Sequence, residues 1–264
     1  MLKILDCENK DTTIESLEKI TGVARDKIID FLRLFDIENY YDMYPNYPNT
    51  SDVLFQLFKK KFSPSINIDL IYWFHLTRTY EKNKFKEGIL PLNEAKEKIW
   101  NFLFSLIDDN FEFNEWQSFR ENVENHLNNH YADLYRMKMN DSEHWGPFAM
   151  LIKDIALRAM EIGNHDYLKI PEIVEDICES FNNIYEINLT DKFSSKTQSC
   201  IVKFKSNSFI SNTGKVDKYI GVTLYYLYCL LHNQSLNLDC NICFNDNPGI
   251  KIPAKNIIKV EYLS

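Results

Sequence analysis

One stretch constrains the fold more than any other. Residues 71–92 read IYWFHLTRTYEKNKFKEGILPL. The first half is aromatic and β-branched, a composition that fits a pleated, half-buried strand. Successive side chains of a strand alternate faces. Asp69, Ile71, Trp73, His75 and Thr77 then share one face, and Leu76 and Arg78 take the other. An aromatic wall and an imidazole occupy one surface. The run breaks into charge, and Asn83, Phe85 and Ile89 suit a short helix closed by Gly88.

The flanks carry mostly helical periods. Ile14, Leu17 and Ile20 form one apolar stripe, with Thr12 or Thr13 as N-cap. After Thr21-Gly22, the residues Val23, Ile28, Phe31, Leu32 and Phe35 resume it. LEKITGVARDKIIDFL thus resembles a helix-turn-helix unit. Residues 11–42 carry eight acids against four bases, the wrong sign for docking on phosphates. A helical hairpin packed on a larger domain is therefore preferred. Residues 40–51 (YYDMYPNYPNTS) read as a linker. Residues 53–62 return to a helix ending in Lys59-Lys60-Lys61, which complements the helix dipole.

Helices are expected at 94–107 and 115–135, and another opening at Trp145-Gly146-Pro147 and closed by Gly163. Pro171 starts one more, with Ile173, Val174, Ile177 and Phe181 inward. IVKFKSNSFI and LNLDCNICF alternate as strands do, Asn247-Pro248-Gly249 makes a turn, and IKIPAKNIIKVEYL reads as two short strands around a bend. The expected class is α+β: a small N-terminal helical module at 1–62, then an α+β domain at 63–264 with a mixed β core and inserted helices.

Composition narrows the function classes. A formal charge of -8 argues against non-specific nucleic-acid binding by net attraction, so no duplex DNA binding is expected on that basis. The 18 Phe, 15 Tyr and 4 Trp can fill a core and also line a ligand cleft. The start, MLKILDCENKD, is charged too early for a secretory leader, and the apolar run 219–231 is too short and tyrosine-rich for a membrane span. No membrane partner and a cytoplasmic location are expected. The six cysteines then read as reduced thiols.

Phe74-His75-Leu76-Thr77-Arg78, followed by Phe85 and Gly88-Ile89-Leu90, resembles the first motif of the ADP-ribosyltransferase superfamily. Poly-ADP-ribose-polymerase-type members carry an apolar strand ending in His, a small residue, Ser or Thr, and Arg, then a helix reaching a Gly-Ile/Leu pair. The C-terminal IKIPAKNIIKVEYL is similar to the strand, proline bend and strand that close many members. The resemblance implies an ADP-ribosyltransferase-like core with NAD lying across the strand. His75 would bond the ribose near the nicotinamide, and the Leu76 backbone would hold the carboxamide. Thr77 and Arg78 would face the adenosine ribose or the pyrophosphate, a guanidinium being suited to phosphate. Leu76 stands where the family carries a small residue, and no glutamate precedes IKIPAKNII where the catalytic acid is often found.

The candidate carboxylate is instead Glu172, in a first helical turn after Pro171, with Tyr167 placed to stack on nicotinamide. The plainer reading, preferred on the sequence alone, is that Glu172 is a first-turn acid stabilising its helix. The implied function is an NAD-cleaving transferase with an unknown ADP-ribose acceptor, protein or nucleic acid, and toxin or phage-defence roles are common in the superfamily. The alternative is a catalytically inactive regulatory or partner-binding module of the same fold.

Other constellations weigh less. Cys229/His232 with Cys240/Cys243 have a superficial zinc spacing, but strand parity splits the last two. His126, His130 and Asp133 could share a helical face, with no intervening Glu for metalloprotease chemistry. No metal is expected. His144-Trp145-Gly146-Pro147-Phe148 would offer free amides to an anion only as a helix start.

Overall fold

The computed structural model describes residues 2–43, 49–80, 85–107, 111–207, 213–237, 241–244 and 249–263. The fold is mixed α+β. Strand β1 (Ile4–Leu5) leads into α1 (Lys10–Thr21), α2 (Arg25–Leu34), α3 (Ile37–Met43) and α4 (Thr50–Phe62). Then come β2 (Leu70–Thr79), α5 (Leu92–Phe104), α6 (Phe113–Asn125) and α7 (His130–Asn140). Strand β3 (Ala149–Met150), α8 (Lys153–Ala156), α9 (Glu172–Tyr185) and α10 (Leu189–Lys196) follow. The chain ends with β4 (Gln198–Ser206), α11 (Thr213–Leu231), β5 (Cys243–Phe244) and β6 (Ile257–Tyr262). The sheet order is β5-β3-β2-β4-β6, with β1 parallel to β2, and β3 antiparallel to β2 and β5.

Two compact units emerge. The first takes residues 1–74, 149–164 and 203–246, and the second takes 75–148, 165–202 and 247–264. The helical segment expected at 1–62 lies within the first, where α1, α2 and α4 pack against α11. That packing explains the apolar run 219–231. Tyr219, Ile220, Val222, Leu224, Tyr226 and Leu227 are all buried, so the helix is apolar all round because protein surrounds it. Gly221 lets α4 approach, since a Cβ there would lie 2.7 Å from the Ser51 carbonyl oxygen. No helix among the described residues is long and apolar enough to cross a membrane.

The hairpin of α1 and α2 turns at Gly22 (φ 72), whose amide donates to the Glu18 carbonyl. Its cap is Asn9 rather than Thr12 or Thr13. The Asn9 side chain accepts from the amides of Asp11 and Thr12, and the Thr12 hydroxyl accepts from the Asn9 amide. Helix α4 ends on its three lysines, as expected.

In the second unit α9 packs on α6, α7 and α10. Ile173, Val174, Ile177 and Phe181 face inward, as the sequence period requires. Trp100 stands edge-on to Trp116 at 5.2 Å and donates its indole N–H to the Tyr135 hydroxyl.

Several local expectations are corrected. The helix expected over 115–135 is two helices, because Asn129 caps α7 by accepting from the Ala132 amide at 2.7 Å. Gly146-Pro147 opens no helix. Its peptide is cis, and β3 follows. Gly163 does close a turn, but a 3-10 turn over Ala159–Ile162. Phe85 to Ile89 forms a turn, with Phe85 at φ 49, rather than a helix end. Asn83, Cys240, Asn247, Pro248 and much of the 40–51 linker lie outside the described residues.

Candidate functional site

All the candidate residues from the β2 motif and from the 165–172 segment belong to the second unit. The register of β2 is legible in its burial. Ile71 and Trp73 are buried, then the phase shifts and Phe74 and Leu76 are buried while His75 and Thr77 are only partly buried.

His75 Nδ1 lies 2.6 Å from the Phe148 carbonyl oxygen. A carbonyl only accepts, so Nδ1 carries the proton and Nε2 keeps its lone pair. Burial lowers the imidazole pKa, against the opposing pull of that carbonyl. The ring is therefore a neutral, oriented acceptor at physiological pH. Thr77 makes one long contact, its hydroxyl to the Arg78 carbonyl at 3.4 Å.

Arg78 is not placed for phosphate. Its Nε donates to the Thr197 hydroxyl at 3.0 Å, and Nη1 donates to the Leu168 carbonyl and the Ser199 hydroxyl, each at 2.7 Å. Nη2 donates to the carbonyls of Ser194 at 3.0 Å and Thr197 at 2.9 Å. A guanidinium has five N–H groups, and all five are used. Burial lowers the Arg78 pKa, with Asp166 opposing. Arg78 is a clamp that ties β2 to the 165–170 turn and to the start of β4.

Tyr167 sits in that turn, half-buried and edge-on to His165 at 4.9 Å. Asp166 shapes the turn by accepting from the amides of Leu168 and Lys169. His165 Nε2 lies 2.6 Å from the Ile170 carbonyl oxygen. Arg78 and the turn of Tyr167 are thus brought together through one carbonyl.

Glu172 opens α9 directly after Pro171. Lys138 Nζ approaches its carboxylate to 3.7 Å, but the same ammonium is 2.7 Å from Asp176. Asp176 is deeply buried, and burial pushes its pKa up to about 6, against the hydrogen bond from Lys138. Glu172 keeps 37% side-chain exposure and remains a half-free carboxylate at a helix start.

The first-motif segment around Ile89 and the C-terminal segment around Ile252 also meet. The amides of Ile89 and Ile252 each donate to the other's carbonyl at 2.9 Å. Gly88 (φ 88) makes the approach feasible, because a Cβ there would fall 2.0 Å from the Ile252 oxygen. Glu261 lies on β6 beside Lys259, 2.9 Å away.

The other candidates disperse. His126 caps the end of α6 while His130 starts α7, so they share no helical face, and Asp133 pairs with Arg136. His232 bonds the Leu32 carbonyl, and Cys229 is buried on α11. Among the described residues no group of three His, Cys, Asp or Glu could hold a metal ion. A shallow groove of about 460 Å³ lined by Phe31, Leu34, Phe35, Leu57, Lys60 and Lys61 lies in the first unit and contains none of the candidates.

Sequence reasoning missed the anchors: Phe148, Leu168, Ser194, Thr197 and Ser199. Three of these act through backbone carbonyls alone, which leave no mark in residue type. The polar run Thr197-Gln198-Ser199 before an apolar strand was the only local signal. Comparison of the chain with family models, with curated proteins and with solved structures gives no match.

Proposed function

We propose that this chain is an NAD-binding, ADP-ribosyltransferase-like enzyme acting in the cytoplasm, with the second unit carrying the site. The observation that carries the reading is His75: anchored through Nδ1, neutral, and left with an acceptor nitrogen. Such a nitrogen suits a ribose hydroxyl donor. The pairing of Ile89 with Ile252 adds support, since both quoted segments of the resemblance then belong to one substructure.

In the proposed reaction the bond between ribose C1′ and the nicotinamide nitrogen breaks. Both electrons go to the nitrogen, which neutralises the pyridinium, and an oxocarbenium-like centre forms at C1′. An acceptor nucleophile then bonds C1′ and gives up its proton. Glu172 is the carboxylate proposed to favour the developing positive charge. Tyr167 is the proposed stacking partner for nicotinamide, and Thr77 borders the strand. Arg78 contributes by holding the turn of Tyr167, not by binding pyrophosphate. The acceptor is a protein or nucleic acid, and a toxin or phage-defence effector is the setting that the resemblance suggests.

A second reading is a nucleotide- or partner-binding module without turnover. The commitment of every Arg78 donor within the protein favours it. Nicotinamide release from NAD separates the two. Release by the wild type, lost in Glu172→Gln with NAD binding kept, supports the enzyme. Binding with no release supports the module, and neither binding nor release rejects both.

A further inference from the structure

We propose that the groove between α2 and α4 is a docking surface for an acidic amphipathic helix of a partner protein. The proposal does not depend on the reaction proposed above.

Helices α2 and α4 both pack against α11. Their own seam is aromatic: Phe31 stands edge-on to Phe58 at 5.5 Å and to Phe62 at 5.9 Å. Along this seam runs the groove of about 460 Å³, with Phe31, Leu34, Phe35 and Leu57 as its apolar lining and Lys60 and Lys61 as its charged lining. Leu34 is 79% exposed, the most exposed large apolar side chain among the described residues. A single exposed leucine needs no explanation. One that continues an apolar groove beside clustered lysines marks an interaction surface.

The charge beside that lining has one sign. Lys59, Lys60 and Lys61 are exposed, and among the described residues no carboxylate pairs with any of them. Lys59 lies 5.7 Å from the Phe55 ring centre, and Lys61 lies 5.6 Å from that of Phe31 and 5.5 Å from that of Phe62. Rings orient a cation without neutralising it. Asp36, next to Phe35, is occupied locally, accepting from the Asn39 amide at 3.0 Å. The chain as a whole carries -8, so this patch is a local reversal of sign. The dipole of α4 accounts for lysines at its end, but not for the apolar lining they border.

Shape and charge together select the occupant. A shallow groove leaves one side of its occupant in water, which suits an amphipathic helix with anchors at i, i+3 or i+4, and i+7. Lysines without a carboxylate call for acids beside those anchors. Nucleic acid brings phosphates but no apolar stripe for Leu34, Phe35 and Leu57. A bilayer does not enter a concave surface, and its anionic headgroups repel a chain of net charge -8. A second copy brings the same net charge and is repelled likewise.

The test is selection on the full chain from a displayed library of helical peptides about four turns long. Leucine is fixed at i, i+4 and i+7, and each flanking position is free to be Glu, Gln or Lys. The recovered peptides are expected to carry Glu at the flanks and, by fluorescence anisotropy, to bind more weakly as salt rises. Leu34→Glu and the pair K60E/K61E should each raise the Kd about tenfold or more. A Lys-flanked twin should fail on the wild type and bind K60E/K61E. All these side chains are exposed, so melting temperatures should hold. Recovery of Lys-flanked peptides, no enrichment at all, or variants that bind as tightly as the wild type would overturn the proposal. So would a wild-type dimer in sedimentation velocity that Leu34→Glu dissolves, which gives the groove to a second copy. Flotation with phosphatidylcholine–phosphatidylserine vesicles, lost in the same variants, would give it to a membrane and overturn the proposal equally.

Discussion

Two lysine clusters, one in each unit, use the same residue types to different ends. In the first unit Lys203 of β4 lies 2.8 Å from Asp6 and 2.7 Å from Glu8, with its ammonium 4.7 Å from the Tyr72 ring centre. In the second unit Lys138 of α7 lies 2.7 Å from Asp176 but only 3.7 Å from Glu172. Burial works against the charge on Lys203, and the hydrogen bonds of Asp6 and Glu8 overcome it, so its pKa is raised. Burial at Asp176 is not overcome. Its pKa rises to about 6, with Glu172 and Glu175 adding repulsion. A lysine that meets two partly hydrated acids at bonding distance makes a closed, matched cluster. A lysine held by one deeply buried acid leaves a second acid loosely placed, and that second acid is the candidate catalytic group.

The comparison can be broken first at Lys138. Lys138→Met removes the hydrogen-bonding cation from a carboxylate that is 3% exposed, and the loss should be about 3–5 kcal/mol at neutral pH. Urea unfolding measures it. The pH dependence has a definite sign. The folded pKa of Asp176 lies above its ordinary 3.8, so the folded state binds that proton more tightly than the unfolded chain. The Asp176 contribution is fully favourable below 3.8 and is lost as pH rises towards about 6. The variant lacks the lowering pull of Lys138 on Asp176, so it should recover stability when acidified from above about 6 down towards 3.8. A loss that does not vary with pH would show that Asp176 does not titrate there.

Lys203→Met should cost less, about 1–3 kcal/mol. Asp6 and Glu8 keep 18% and 22% side-chain exposure, and Lys153 stands 3.8 Å from Glu8. Because the folded pKa of Lys203 is raised above 10.5, its contribution is complete at neutral pH and is lost only as pH climbs above that value. A cost equal to that at Lys138 would remove the distinction between the clusters.

The smallest effect belongs to Glu172. Glu172→Gln should change stability by under about 1 kcal/mol, the range of an exposed ion pair and a helix-start charge. A larger loss in thermal unfolding would make Glu172 a structural partner of Lys138 and leave the proposed reaction without its carboxylate.

Some of this was legible in the sequence. The aromatic, β-branched start of the 71–92 stretch marks β2, the period of Ile173, Val174, Ile177 and Phe181 marks the inner face of α9, and Gly22 marks the α1–α2 turn. Those features depend on residues close together in the chain. The break before α7 was missed although Asn129 carries the cap, because the apolar period runs on across the gap. Helix α11 was read only as too short for a membrane, since an all-round apolar helix shows no period to detect. The role of Arg78 was out of reach for a plainer reason. Its acceptors come from residues 168, 194, 197 and 199, about ninety or more positions away, and three of those five bonds go to backbone carbonyls.

His75 remains the residue on which the functional reading turns. Saturation-transfer NMR with NAD should show transfer to the adenine and nicotinamide protons from the wild-type chain. It should show little or none from His75→Ala at an unchanged melting temperature. No transfer from the wild type, or equal transfer from the variant, would contradict an NAD site at this strand.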